Sequence, residues 1–160
     1  MRFERHSSDG RAIVVFDGRL NEHSELDPLA DALRDAGPFI DFDLGGVISV
    51  NSVGTRTWIL FLRRLDGKRV HFQNCSPPFV NQMAMISGFS HNAVIDSFQV
   101  TYGCERCDTE RSVLWTAGKE FAGGGWIAEP EVRCEGCRGI MEMIDPRATI
   151  SEIVALRGDP

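Results

Sequence analysis

The sequence predicts an α/β fold: an open sheet covered by helices, with a small β-rich insert near the C-terminus. Three observations predict it. Phe39 to Asn74 reads as a strand, a helix and a second strand joined by short links, which is the βαβ unit of a helix-covered sheet. Strand and helix signals of the same kind stand before and after that unit. From Thr101 to about Ile140 the composition shifts to cysteines, glycines and short strands, a different regime from the rest of the chain.

Taken in order, Phe3 to His6 is a short first strand, Asp9-Gly10 a hairpin turn, and Ala12 to Asp17 a second strand. Asp27-Pro28 opens a helix, with Asp as the cap and Pro at the first helical position, where its missing N–H costs nothing. Leu26, Leu29, Ala30 and Leu33 share one side of it, and Gly37-Pro38 stops it. Phe39, Ile40, Phe42 and Leu44 make the next strand, which Gly45 and Gly46 interrupt before Val47 to Val50. Asn51-Ser52 turns into a helix that runs to about Leu65, with Ser52 as a good N-cap. Asp66-Gly67 ends the helix, and Arg69 to Gln73 is a strand. Ser76-Pro77-Pro78 starts a third helix whose apolar members are Phe79, Val80, Met83, Met85 and Ile86, with Gly88 as its stop. Ala93 to Val100 reads as one strand. Asp145-Pro146 repeats the Asp-cap, Pro-first signature, and Ile150, Ile153, Val154 and Leu156 give a short amphipathic last helix. The division is residues 1–100 for the sheet domain, 101–140 for the insert, and 141–160 for a C-terminal helix that packs back on the sheet domain.

A chain of 160 residues can bury an ordinary core. Its net charge of −6 argues against a nucleic-acid backbone or an anionic membrane as partner, since both need clustered Lys and Arg. No apolar run approaches a membrane span, and Met1 to His6 has no apolar core for a signal peptide. The default compartment is the cytoplasm, where thiols stay reduced, so the five cysteines pose a question about metal.

Cys104-x-x-Cys107 and Cys134-x-x-Cys137 are matching pairs separated by 26 residues (108–133). Each can wrap one tight knuckle and present two thiolates, and two knuckles complete a tetrahedral four-cysteine zinc site. Gly136 and Gly139 supply the backbone freedom such knuckles need. The segment looks like a zinc ribbon, with Val113 to Trp115 and Trp126 to Ala128 as strands and Gly123-Gly124-Gly125 as a hairpin tip. Four thiolates leave no open coordination position, so the Zn2+ reads as structural. The alternatives are two disulfides or unliganded thiols, which an intracellular setting disfavours; iron is the second metal. Trp115, Phe121 and Trp126 exceed what so small a core should hold, which predicts one of them exposed for binding. Cys75 reads as a buried small hydrophobe.

The stretch from Phe39 resembles the STAS domain, the fold shared by anti-sigma-factor antagonists and the cytoplasmic ends of sulfate transporters. In that family a strand of alternating apolar and acidic residues leads to Asp-Ser-Ser-Gly, followed by an apolar helix, an LRR and a strand ending near NCSPP. The matching residues are Asn51-Ser52-Val53-Gly54, Leu62-Arg63-Arg64 and Asn74-Cys75-Ser76-Pro77-Pro78. The order and spacing of these motifs carry the resemblance, over roughly residues 1–100 and the last dozen. It implies a STAS-like mixed sheet covered by helices and a bacterial signalling adaptor without a reaction of its own.

The resemblance also implies that Ser52 is the residue phosphorylated by a partner kinase that is itself the anti-sigma factor. Asn51 stands in place of the family Asp, Val53 in place of the second Ser, and Thr55 in place of an apolar residue. Ser52 therefore keeps two readings, phosphosite and simple N-cap, with Thr55 as the alternative phosphosite. Helical spacing places Thr55, Arg56, Ile59 and Arg63 on Ser52's face, and Trp58, Phe61, Leu62 and Leu65 against the sheet. Asn51 and the first group are predicted to meet a protein partner, kinase-like, anti-sigma-like or another signalling protein.

The competing function is a nucleic-acid-binding or transcription-associated zinc ribbon. Between Cys104 and Ile140, five Lys/Arg against seven Asp/Glu disfavour it. An enzyme reading finds no nucleophile–base pair, phosphate loop or open metal site. Asp41 and Asp43 alternate with Phe42 and Leu44, which places both on one strand face near an edge or end of the sheet, without a legible cleft partner. His6, His23, His71 and His91 form no motif with each other or with the cysteines.

Overall fold

The protein is a mixed α/β fold in a computed structural model that describes residues 1–156. An N-terminal hairpin comes first: β1 (Arg2–Ser8) pairs antiparallel with β2 (Arg11–Leu20) through a turn in which Asp9 and Gly10 both take positive φ, 50° and 75°. From β2 the chain alternates strand and helix: α1 (Asp27–Arg34), β3 (Phe39–Val50), α2 (Ser52–Arg63), β4 (Arg69–Gln73), α3 (Pro77–Met85) and β5 (Val94–Ile95). Strands β2 to β5 run parallel and lie in sequence order, giving a five-stranded sheet β1-β2-β3-β4-β5. With the right-handed crossover that parallel strands ordinarily take, this constant direction puts all three helices on the same face. That face is apolar: Val14, Phe16, Ile40, Phe42 and Phe72 are buried under Leu29, Leu33, Trp58, Phe61 and Phe79. Trp58 sits at the centre, 5.5 Å from Phe16, 5.9 Å from Phe72 and 5.3 Å from Phe79, ring centre to ring centre. Its indole N–H donates to the Phe89 carbonyl at 3.1 Å.

The opposite face carries the polar half of the alternation. Arg11 holds Asp41 through two of its guanidinium nitrogens, Nε and Nη2, and His71 meets Asp96 at 3.1 Å. Asp43 accepts from Gly45 N–H and from the Asn74 amide, whose oxygen accepts from Gln99. Asp41 and Asp43 thus lie on the middle strand of five, not at an edge or end of the sheet. Asp41 tolerates burial because Arg11 neutralises it.

The remaining elements are β6 (Ser97–Cys104), β7 (Thr109–Thr116), β8 (Phe121–Ala122), β9 (Gly125–Trp126), β10 (Val132–Arg133), β11 (Ile140–Met143) and α4 (Arg147–Ala155). They form a four-stranded antiparallel sheet, β10-β11-β6-β7, and the hairpin β8-β9. Gly123 and Gly124 turn that hairpin with φ of 56° and 76°, as the triple glycine predicts. Ala93 to Val100 is not one strand of one sheet. It divides at Asp96 between β5, which pairs with β4, and β6, which pairs with β7. Backbone bonds from Asp96 to Phe72, Cys75 to Ser97 and Gln99 to Cys75 carry the first sheet across that division. Position 100 therefore falls inside a strand, and one apolar core runs through both sheets.

Several local expectations are corrected. Gly45 and Gly46 do not interrupt β3, which is continuous. A Cβ at Gly46 would lie 2.5 Å from the Phe16 carbonyl, and one at Gly45 would lie 2.0 Å from the Asn74 amide, so the glycines allow close approach. Leu26 is the N-cap of α1, without a side-chain bond; Asp27 instead receives Arg64, the C-cap of α2, at 2.5 Å. Pro146 is the N-cap of α4, and Asp145 accepts the Thr101 N–H at 2.6 Å, which ties the chain entering α4 to β6. Met85 is 79% exposed rather than core. Cys75 is fully buried, as expected, and burial pushes its thiol pKa up. Trp115 and Phe121 are also buried, because Phe98 of β6 extends the core they share (6.1 and 5.2 Å between ring centres). Trp126 is half-buried: its N–H donates to Ser151 at 3.2 Å, and Arg147 lies 5.5 Å from its ring. None of the three is the exposed binding aromatic predicted from the small size of the insert. α4 lies against α3 and β9, with Ile150, Ile153 and Val154 buried.

Candidate metal centre and partner face

The two cysteine pairs are brought together by two hairpins. Cys104 ends β6 and Cys107 lies in the turn to β7; Cys134 and Cys137 lie in the turn from β10 to β11. The turns repeat one another. Asp108 N–H bonds the Cys104 carbonyl and Arg138 N–H bonds the Cys134 carbonyl, both at 2.8 Å, with Asp108 and Arg138 at φ of 53° and 58°. In the second knuckle Cys134 N–H also bonds the Gly139 carbonyl at 2.8 Å. The strand pairs β6-β7 and β6-β11 fix the two turns side by side.

The four sulfurs lie within 4.8 Å of one another, and Cys104 Sγ is 3.5 Å from Cys137 Sγ. A tetrahedral ion with metal–sulfur bonds near 2.3 Å sets sulfurs about 3.8 Å apart. The 3.5 Å pair and the 4.8 Å bound lie on either side of that spacing, and all five cysteines of the chain are free thiols. The ligands are prepared unequally. Cys134 is brought down to about 6, first by the Thr109 hydroxyl and then by backbone N–H groups of Cys137 and Gly136. Cys137 is lowered by the Cys107 thiol and by Gly139 N–H. Cys107, the hydrogen-bond partner of Cys137, is pushed up to about 12. Donors aimed at sulfur are what a thiolate ligand set requires. The sequence pairs the four cysteines that cluster here but gives no signal for Thr109, whose contact with Cys134 depends on register across the sheet.

The face expected around Ser52 is brought together only in part. Asn51, not Ser52, caps α2: its side-chain oxygen accepts Gly54 N–H at 2.8 Å. Its amide nitrogen donates to Glu22 at 2.8 Å; the Glu22 pKa is lowered first by Glu22's own backbone N–H and then by this bond. Ser52 is therefore the first helical residue and exposed. Arg56 and Arg63 are exposed on its side, make no ion pair among the described residues, and Ile59 is half-buried beside them. Thr55 is a correction. It is 7% exposed and its hydroxyl donates to Gln82 of α3 at 3.3 Å, so it lies under the face and not on it. Trp58, Phe61, Leu62 and Leu65 do face the sheet. Gln82 had no sequence signal, because nothing in the pattern of α3 shows which helix it meets.

No helix of the described residues is long and apolar enough to cross a membrane. The fold and site together define a mixed α/β protein with a four-cysteine cluster able to hold a metal ion. No model of a known protein family matches the chain, and no curated protein matches it.

Proposed function

We propose that this chain is a non-enzymatic cytoplasmic signalling adaptor, built on a STAS-like sheet domain, that binds a protein partner through the Ser52 end of α2. The observation that carries the reading is the division of labour between Asn51 and Ser52. Asn51 closes the helix, which leaves the Ser52 hydroxyl exposed and without a structural duty. A phosphate there would add about −1.5 to −2 charges at a helix N-terminus, where the dipole stabilises it. Arg56, one turn on and without an ion-pair partner among the described residues, supplies a cation on the same side. The fold would survive the modification, and a partner docked across the same turn would not. Three helices on one face of a parallel sheet, in strand order, also suit the STAS-like reading.

The same proposal makes the cluster of Cys104, Cys107, Cys134 and Cys137 a structural Zn2+ site. When bound, the ion cross-links two hairpin turns; four thiolates leave no position for water or substrate. It staples a segment whose strands β8 to β11 are only two to four residues long.

The test is capture of partners from the native host by the tagged chain, followed by mass spectrometry of the captured proteins and of residues 45–66. Wild type is expected to retain a signalling protein that Ser52→Asp and Arg56→Glu both release. Equal retention by wild type and both variants would overturn the proposed face.

A further inference from the structure

We infer that Arg106 and Arg138 are the counter-charges of the metal centre, holding its affinity through the field they place on the thiolates; this rests on reading the cluster as a metal site. Four thiolates around a divalent ion leave a net double negative charge. The carboxylates of the neighbourhood worsen it: Glu105 and Asp108 lie in the first knuckle, Glu110 and Glu142 beside it, and none has a cationic partner among the described residues. Of the five basic residues between Cys104 and Ile140, three are already paired, Arg111 with Glu135, Lys119 with Glu120 and Arg133 with Glu131. Arg106 and Arg138 have no carboxylate partner among the described residues, and both sit in the knuckles.

Their placement is specific. A Cβ on Gly139 would lie 3.2 Å from Cys137 Sγ, 3.1 Å from Arg106 Cδ and 3.8 Å from Arg106 Nη1. The Arg106 guanidinium therefore comes within about 7 Å of the Cys137 sulfur, across a gap that only a glycine leaves open. That separation is inside the Debye length of about 10 Å at 0.1 M salt, so the attraction is felt at ordinary ionic strength and fades as salt rises. Arg138 follows Cys137 directly, at φ 58°, a conformation that glycine adopts more readily. A glycine would relax that backbone; the arginine keeps a cation at the position next to a cysteine of the cluster in sequence.

The experiment is a chelator competition for Zn2+ on the full chain, at low and at high salt. Wild type is compared with Arg106→Gln/Arg138→Gln, with Arg106→Lys/Arg138→Lys, and with Arg133→Gln, which removes the same charge from a residue already paired. At low salt the double Gln variant is expected to bind about tenfold more weakly, the lower end of what groups just outside the ligands contribute. The difference should shrink at high salt, and the Lys variant and Arg133→Gln should stay near wild type. Equal affinity of wild type and the double Gln variant overturns the inference. So does a loss that ignores salt and is not rescued by Lys, since that would be a packing effect. A wild-type chain that takes up no Zn2+ overturns the metal reading itself, and the inference with it.

Discussion

Asn51 and Ser52 are adjacent, both able to cap, and differ in what the fold asks of them. The sequence pattern Asn-Ser before an apolar helix marks the helix start but not which oxygen turns inward. That is settled by β3, which runs to Val50 and places Asn51, in extended backbone, one residue before the first turn. The consequence is measurable. Asn51→Ala should cost about 1 kcal/mol of stability, the usual worth of a cap, and Ser52→Ala should stay within about 0.5 kcal/mol. Denaturant unfolding of both variants checks this, and the reverse order would mean that Ser52 carries the cap. Thr55 makes the same point about legibility. Periodicity put it on Ser52's face correctly as an angle, but its neighbour across that angle is α3, which no single-helix pattern contains.

At the level of elements, glycine was the residue most easily misread. Gly45 and Gly46 look like breaks in a strand, and Gly54 stands inside a helix. In each case the missing side chain makes room for a neighbouring backbone or amide. A Cβ on Gly54 would lie 2.1 Å from the Leu20 carbonyl, because the first turn of α2 rests on the end of β2. Alanine is intrinsically the better helix former by about 1 kcal/mol. The clash should outweigh this, so Gly54→Ala should destabilise by about 2 kcal/mol or more. A thermal scan showing equal or higher stability would mean that α2 does not rest on β2 in this way. Strands and helices with strong patterns, β2, α1 and β4 among them, were legible. The division of residues 93–100 was not, since alternation continues through Asp96 and only the partner strands change.

For the whole molecule, the cysteine spacing was enough to expect the four-cysteine cluster, because two short repeats with tight turns leave few other geometries. How the cysteine segment joins the sheet domain was hidden, since it depends on β6 carrying the first sheet onward and on Phe98, Trp115 and Phe121 sharing a core. The four-cysteine cluster therefore starts at the end of β6, a strand whose Phe98 and Val100 are buried in the shared core. Its metal binding should depend on pH in a definite direction. Cys107 is held up near 12 and must give up a proton when it becomes a ligand. Affinity should fall by about tenfold per pH unit for each proton released as the solution is acidified. The fall should steepen below about 6, where Cys134, a thiolate above that pH, becomes protonated too.

The most direct measurement is the metal content of the intact chain by native mass spectrometry, titrated from about pH 8 to about pH 5. The account predicts one zinc ion per chain at the upper end, lost on acidification along the slope just described. The ion should be absent from Cys134→Ser/Cys137→Ser at every pH. A wild-type chain that carries no metal, or whose mass shows two disulfides among Cys104, Cys107, Cys134 and Cys137, would contradict it.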